Sequence, residues 1–359
     1  MAGYFNKEPS GKWSVQFTYE DYTGNKRRKR KLGFKTKKEA VEWMEEFKRK
    51  QKADIDMKFS TFIDDYFENM KNDLRESTMI TKKHMIELHI LPYFKDKKVA
   101  DITALDVKKW QNEIRKKGFS DTYLKTINSQ LSAIFNHACK FYRLGYNPCK
   151  EAGYMGKNKS GNMGIWTQND IELFLEAVSD KPVSRYAFMV LYWTGLRLGE
   201  LLALNIEDIN LEEGTLKVSK SLQRLGTKDV ITEPKTEGSN RTIYLPKFLQ
   251  AELEEYINML YGRTPKDRLF LVTKSFLEKE IKRGANIAGL TPIRVHDLRH
   301  SHASLLISKN VDIATVSKRL GHDKIKTTLD TYSHMFEQSA KGVADILDQL
   351  NCDNDKEEL

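Results

Sequence analysis

The sequence has few cysteines and no long apolar run. Its three cysteines, Cys139, Cys149 and Cys352, have neither an even count nor the paired spacing of a metal site. The sequence contains no apolar stretch with the pattern of a signal peptide and none with the length and character of a membrane span. We therefore expect a protein of the reducing cytoplasm with no membrane partner.

Internal repeats and glycine-rich phosphate loops are also missing, so nucleotide hydrolysis is not expected. What the sequence does have is positive charge: 60 lysines and arginines against 50 acidic residues, a net charge of +10. Such an excess favours a polyanionic partner. It is unevenly spread, because residues 26–31 are all basic whereas residues 353–358 are mostly acidic.

The first segment has the pattern of a small sheet. Large apolar and polar residues alternate over residues 13–20, and a turn containing Gly24 predicts a hairpin. Thr36 and Glu39 have capping-box spacing and predict a helix. A two-stranded ribbon of this kind can present basic side chains to a DNA groove, although a solvated charged hairpin would look the same. The side chains assigned to DNA binding are Lys26, Arg27, Arg28, Lys29, Arg30 and Lys31.

From about residue 59 to residue 149 the apolar spacing becomes helical, and Thr103 and Ser120 are predicted N-caps. Residues 151–163 are rich in Gly, Lys, Asn and Ser, which is typical of a flexible linker. The remainder mixes helices with short strands. It is predicted to contain a helical run at 186–204, strands near 214–221, 230–234 and 241–245, and then helices to the end.

Three motifs in the second half collect two guanidiniums, two imidazoles and a phenol. They are Thr-Gly-Leu-Arg-Leu-Gly-Glu-Leu at 194–201, His-Asp-Leu-Arg-His at 296–300, and Leu-Gly-His at 320–322 followed ten positions later by Tyr332. In this order and spacing they resemble the boxes of the tyrosine recombinases, the phage-type integrases. The resemblance extends over the whole chain and implies a site that holds a DNA phosphodiester and attacks it.

The resemblance also implies a multidomain α+β fold. It comprises a small N-terminal three-stranded sheet with one helix, an all-α core-binding domain, and a mostly α catalytic domain with a small β-sheet. The expected divisions are an arm-type DNA-binding domain at 1–55, a helical core-binding (SAM-like) domain at 56–153, a linker at 154–165, a catalytic domain at 166–338, and a C-terminal helix with an acidic tail at 339–359.

By the same resemblance, Arg197 and Arg299 bind the nonbridging phosphate oxygens, a task suited to planar guanidiniums. Tyr332 is the nucleophile, and its attack leaves a 3′-phosphotyrosine and a free 5′-hydroxyl. Its phenol, with an ordinary pKa of about 10, needs a base or a positive field to react. Because the covalent linkage conserves the bond energy of the diester, resealing needs no ATP, and no cofactor or metal is expected.

The remaining roles come from the same source. His296 is the general base or proton shuttle, and His322 donates a hydrogen bond to the phosphate. Lys235, in a hairpin predicted over 233–241, protonates the leaving 5′-oxygen. Glu200 orients the site, although a simple helix salt bridge would explain it as well.

The implied partners are double-stranded DNA attachment sites of core and arm type, further copies of the chain forming a tetramer on DNA, and accessory DNA-bending or directionality proteins. The implied location is the cytoplasm of a bacterial host, in association with the nucleoid. An apolar stripe in the tail, formed by Ala340, Val343, Ile346, Leu347 and Leu350, either folds back on its own domain or docks on a neighbouring protomer.

Three other functions are compatible with parts of the sequence. The i, i+4 spacing of His296 and His300 is that of a zinc helix, which would suit a metallohydrolase. A non-catalytic DNA-binding regulator needs only the basic elements. A type IB topoisomerase shares the tyrosine and the arginines, but an arm-type segment with a separate helical domain fits site-specific recombination better.

Overall fold

The computed structural model describes residues 3–20, 26–53, 57–157, 163–226, 228–233 and 237–333. The chain divides near residue 161 into two compact units. The first contains a three-stranded sheet and a helical core, and the second mixes helices with two small sheets. The expected fold class is therefore confirmed.

The first unit begins with an antiparallel sheet in the order β1-β2-β3, covered by one helix. Alternation along β2 places Val15 and Phe17 on the buried face, where they pack with Ala40 and Met44 of the helix. Thr36 caps the helix as predicted, because its hydroxyl accepts from the Glu39 amide at 3.2 Å. The Glu39 carboxylate accepts from the amide of Lys35 rather than from that of Thr36, so the predicted capping box forms only in part. The elements are β1 (Tyr4–Lys7), β2 (Trp13–Glu20), β3 (Lys26–Phe34) and α1 (Lys37–Ala53).

The rest of this unit is helical, as predicted. Thr103 accepts a hydrogen bond from the amide of Asp106 and Ser120 accepts one from that of Tyr123, so both predicted N-caps are confirmed. Trp110 is fully buried at the centre of an aromatic core. The helices are α2 (Phe59–Met70), α3 (Glu76–His89), α4 (Leu91–Phe94), α5 (Ala104–Lys116), α6 (Asp121–Phe141) and α7 (Pro148–Ala152), with a 3-10 turn at Val99–Asp101.

The packed helical core reaches further along the chain than the linker expected to start at residue 154. Met155 is fully buried in this core. Gly156, with φ +79°, lies so close to α6 that a Cβ placed there would be 2.1 Å from the carbonyl oxygen of Asp121. Met155, an apolar residue within this polar stretch, therefore packs residues 154–156 against the helical core.

The second unit surrounds one large apolar core. Its strands form a sheet in the order β4-β5-β8 and a separate hairpin β6-β7, all antiparallel. The elements are α8 (Gln168–Ala177), α9 (Pro182–Thr194), α10 (Leu198–Ala203), β4 (Ile209–Asn210), β5 (Thr215–Val218), β6 (Ser221–Leu225), β7 (Lys228–Thr232), β8 (Arg241–Tyr244), α11 (Lys247–Met259), α12 (Lys274–Ile287), α13 (Asp297–Ser308), α14 (Ile313–Leu320), 3-10 turns at Ile206–Asp208 and Glu237–Ser239, and helical residues 325–333.

Two sequence expectations in this unit are wrong. The helical run at 186–204 is broken, because Gly195 ends α9 in the left-handed conformation with φ +69° and α10 begins three residues later. The hairpin expected over 233–241 does not form, since β7 pairs with β6 and β8 pairs with β5. Gly226, with φ +61°, places the turn between β6 and β7 instead.

Some sequence expectations lie outside the described residues. Lys235, most of the proposed linker, and the C-terminal helix with its acidic tail at 339–359 belong to this group. Among the helices that the structure describes, none has the length and apolar composition needed to cross a bilayer.

The close approach of Gly156 to α6 predicts that Gly156→Ala destabilises the helical core more than Gly118→Ala. Both glycines have positive φ, so each alanine adds roughly 1–2 kcal/mol of backbone strain. Only at residue 156 does the new methyl group meet backbone atoms, those of Asp121 and Lys125. Differential scanning calorimetry and amide hydrogen exchange in the first turn of α6 measure the difference; equal losses for the two variants would contradict it.

Candidate active site

The break between α9 and α10 fixes the position of Arg197. This residue is the N-cap of α10, where its backbone amide donates to Glu200 Oε2 at 2.9 Å and its Nη1 donates to Glu200 Oε1 at 2.8 Å. Its Nη2 donates to the carbonyl of Gly321 at 3.0 Å. The first motif is thereby joined directly to the third, 124 residues further along the chain.

Glu200 is buried between two guanidiniums. Besides Arg197, it accepts hydrogen bonds from Arg241 Nη2 at 2.9 Å and Nη1 at 3.3 Å. Burial alone would raise the pKa of Glu200, but the bonds from Arg241 and Arg197 outweigh it and lower the pKa below its usual value. The simple helix salt bridge that the sequence left open is present between Arg197 and Glu200, and the same carboxylate also pairs with Arg241 on another element.

Arg299 lies in the first turn of α13 and is 3% exposed. Its Nη1 donates to the carbonyl of Gly195 at 2.8 Å, whereas its Nη2 is buried and has no partner among the described residues. Burial, followed by the neighbouring charge of Arg197, lowers the pKa of Arg299 to about 9, so it remains a cation at neutral pH. A buried charged donor without a partner is expensive, and an anion would supply one.

His296 and His322 flank this cluster as neutral imidazoles. Burial, then nearby positive groups, lowers the pKa of each ring to about 4. His322 follows Gly321, which ends α14 in the left-handed conformation, and its Nδ1 shares a 2.8 Å hydrogen bond with Thr328 Oγ1. His296 precedes α13, and its ring meets that of His300 edge-on at 5.0 Å.

Tyr332 lies on the helical residues 325–333 and is 1% exposed. Its hydroxyl shares a 2.8 Å hydrogen bond with His300 Nδ1. Burial raises the pKa of Tyr332 to about 12, and Arg299 lowers it in part. Of the described histidines, the one that contacts the phenol is therefore His300 rather than either of the two that the motifs assigned.

The structure thus brings together five of the predicted residues by direct contacts or charge coupling: Arg197, Glu200, His296, Arg299 and His322. Tyr332 joins them through His300 and the field of Arg299. The whole set lies in the second unit. Lys235 is outside the described residues, so its role remains a prediction.

Four contributors have no role assigned by the motifs: Arg241, Arg319, His300 and His302. Of these, His300 is the last residue of the second motif and His302 follows two positions later. Arg241 could have been found, because on β8 it shares the inward face with buried Ile243 and an arginine there needs a partner. Its Nε donates to the carbonyl of Arg319 at 2.8 Å. Arg319 in turn donates to His302 Nε2 at 3.1 Å. No sequence signal links these distant residues.

The predicted DNA-binding run occupies β3 in the first unit and divides between two faces. Lys29 pairs in register with Phe17 and Lys31 with Val15, so both point toward α1. Their ammoniums lie 5.5 Å from the ring centre of Phe47 and 4.7 Å from that of Trp43, respectively. The alternate positions, Lys26, Arg28 and Arg30, share the open face, where Arg30 also pairs with Glu8 at 2.8 Å.

Three segments of the chain match known protein families. Residues 165–339 match the phage integrase family, residues 58–115 match the phage integrase N-terminal SAM-like domain, and residues 4–51 match the Arm DNA-binding domain. The ICEBs1 integrase of Bacillus subtilis is 31% identical over 94% of this chain and 96% of its own length. The putative prophage phiRv2 integrase of Mycobacterium tuberculosis is 26% identical over 77% of this chain and 75% of its own.

Solved structures share the fold at lower identity. A Tn1549 transposon integrase fragment, in complex with transposon right end DNA, aligns with a TM-score of 0.68 and 21% identity, covering 81% of this chain and 99% of that one. A lambda integrase dimer bound to a COC′ core site aligns with a TM-score of 0.61 and 19% identity, covering 91% and 93%. The solved structures show a shared fold, whereas the matched families and the Bacillus subtilis relative show that the chain belongs to the phage integrase family of tyrosine recombinases.

Proposed function

We propose that this chain breaks and rejoins DNA at specific sites through a 3′-phosphotyrosine intermediate, with Tyr332 as the nucleophile. The observation that carries the proposal is the composition of the site. Three guanidiniums, those of Arg197, Arg241 and Arg299, lie around the carboxylate of Glu200 beside a buried phenol. Such a site has excess positive charge, which a phosphodiester would neutralise.

In this proposal Arg197 and Arg299 bind the phosphate. Arg299 has a buried Nη2 free for a phosphate oxygen, and Arg197 is held nearby by Glu200 and Gly321. His322 is the third ligand. If its Nδ1 accepts from the Thr328 hydroxyl, the ring proton is on Nε2, the nitrogen that donates to the phosphate. This arrangement stabilises the charge that develops when phosphorus becomes five-coordinate.

The remaining predicted residues act on protons and on orientation. His296 is a neutral imidazole beside the arginines and serves as general base or proton shuttle. Lys235 protonates the leaving 5′-oxygen. Glu200 orients both Arg197 and Arg241. The bond energy of the diester is retained in the tyrosine linkage, so the reaction uses no cofactor.

The partners follow from the relatives. Integrases of this family have been solved with transposon end DNA, with a core site and, for lambda integrase, as a tetramer on a Holliday junction. We propose that this chain likewise binds core-type and arm-type DNA sites and assembles as a tetramer on them, helped by DNA-bending or directionality proteins. Its tail would dock on the neighbouring protomer. It would act on a phage or conjugative transposon within the bacterial cytoplasm, in association with the nucleoid.

Tyr332→Phe is expected to abolish covalent adduct formation while DNA binding persists, because the variant lacks only the attacking oxygen. The substrate is a nicked suicide duplex with the element's own core site, which traps the adduct for denaturing electrophoresis. Tyr244→Phe is the matched control, since Tyr244 is 75% exposed on β8. An adduct with Tyr332→Phe would refute the assignment. Joining of two specified sites, rather than relaxation of supercoils alone, separates a recombinase from a topoisomerase.

Arg197→Lys is expected to slow single-turnover cleavage by roughly 10²–10³-fold, since an ammonium cannot bond Glu200, Gly321 and phosphate in the fork geometry of a guanidinium. DNA binding is expected to persist. Arg185→Lys is the matched control, because Arg185 makes a fork to Glu252 away from the site. If Arg197→Lys cleaves DNA as fast as the control, Arg197 does not bind the phosphate.

The two faces of β3 give a test of arm-domain binding. Arg28, on the open face, is available for a phosphate, whereas the Lys29 ammonium lies over the Phe47 ring. Arg28→Ala is expected to reduce the slope of log K against log salt by about 0.9, as for one lost phosphate contact, and Lys29→Ala to reduce it less. Fluorescence anisotropy with arm-site duplex measures both slopes. If the two variants have equal salt slopes, or if Lys29→Ala lowers the slope more, the DNA does not bind to the open face of β3.

A further inference from the structure

The hydroxyl of Tyr332 is held by a histidine to which no role has been given so far. His300 Nδ1 lies 2.8 Å from the Tyr332 oxygen, and among the described residues it is the oxygen's one hydrogen-bond partner. The phenol is almost fully buried. Without His300, this buried hydroxyl would have no hydrogen-bond acceptor among the described residues.

The direction of this hydrogen bond follows from the charge states. Burial raises the pKa of Tyr332 to about 12, so the phenol keeps its proton at neutral pH. Burial, together with Arg299 and Arg294, lowers the pKa of His300 below its usual value despite Asp297, so the ring is neutral. The phenol therefore donates to Nδ1 and the ring proton is on Nε2. That second nitrogen has no partner among the described residues and is not sealed from solvent.

The other histidines of the site are engaged elsewhere. His322 Nδ1 bonds to Thr328, and His302 Nε2 accepts from Arg319. The His296 ring stands perpendicular to the His300 ring, with 5.0 Å between the ring centres, and makes no hydrogen bond to the phenol. Of these four imidazoles, only His300 has one nitrogen that accepts a hydrogen bond from the Tyr332 hydroxyl and a second nitrogen that is open to water.

We propose that His300 is the general base for Tyr332. As the Tyr332 oxygen bonds to phosphorus and the bond from phosphorus to the 5′-oxygen breaks, the phenolic proton passes to His300 Nδ1, and the leaving oxygen takes a proton from a separate donor, the proposed Lys235. In rejoining, the 5′-hydroxyl bonds to phosphorus and gives its proton back to that donor, while the tyrosyl oxygen leaves and takes back its proton from His300 Nδ1. The inference rests on the proposed function of Tyr332, and it leaves His296 as the proton shuttle.

Two substitutions separate proton transfer from positioning. His300→Ala removes both the hydrogen bond and the base. His300→Asn places an amide near the position of Nδ1, where it can bond to the phenol but cannot take its proton. Both variants are expected to slow single-turnover adduct formation by about 10²–10⁴-fold, with DNA binding unchanged. Imidazole added to the buffer is expected to restore part of the rate of His300→Ala.

The leaving group supplies the second discrimination. A suicide duplex with sulfur in place of the bridging 5′-oxygen has a leaving thiolate that needs no proton. A variant impaired in leaving-group protonation recovers on this substrate, whereas one that lacks the base for Tyr332 remains slow. Both His300 variants are expected to remain slow on the sulfur substrate.

Several outcomes would overturn the proposal: cleavage by His300→Asn at the wild-type rate, which would reduce His300 to a positioning residue; recovery of either variant on the sulfur substrate; or no rate loss at all. Failure of the proposed function looks different, because the unmodified chain would then form no adduct or Tyr332→Phe would form one. Thermal unfolding of both variants checks the fold, and if His300→Ala does not fold, His300→Asn on the two substrates decides the question.

Discussion

The site depends on one buried carboxylate shared by two guanidiniums. Glu200 joins Arg197, at the start of its own helix, to Arg241 on a strand of the β4-β5-β8 sheet. Removing one partner of a buried pair typically costs about 3–5 kcal/mol, because the other charge is left without compensation. Yet the compensation here is incomplete, since Arg299 adds a further cation to the same cluster. The fold therefore maintains a surplus of positive charge in this cluster.

Backbone geometry ties this charge cluster together. Gly195 and Gly321 each end a helix in the left-handed conformation, and each offers its carbonyl to an arginine from a distant motif. A side chain at residue 195 would collide with the ring of His302, at 2.6 Å, and one at residue 321 with Arg241, at 2.8 Å. The glycines in the motifs thus serve the packing of the site as much as the turn of the chain.

Much of this arrangement could be predicted from the sequence, but not all. Helix starts such as Thr103 were predictable because capping is local, and the motifs named Arg197, Arg299 and Tyr332. The break at Gly195 was missed because apolar periodicity continues across it. The partner of the phenol was also missed, since contacts across 32 residues depend on how α13 packs against residues 325–333.

The low proton affinity of the buried imidazoles has an electrostatic consequence. His296 and His322 have a pKa of about 4, and that of His302 is about 3. None of these three rings gains charge between pH 6 and pH 8, so they add no positive charge to that of the neighbouring guanidiniums. The contribution of this cluster to polyanion affinity should then respond to ionic strength, through counterion competition, and not to protonation of these three rings.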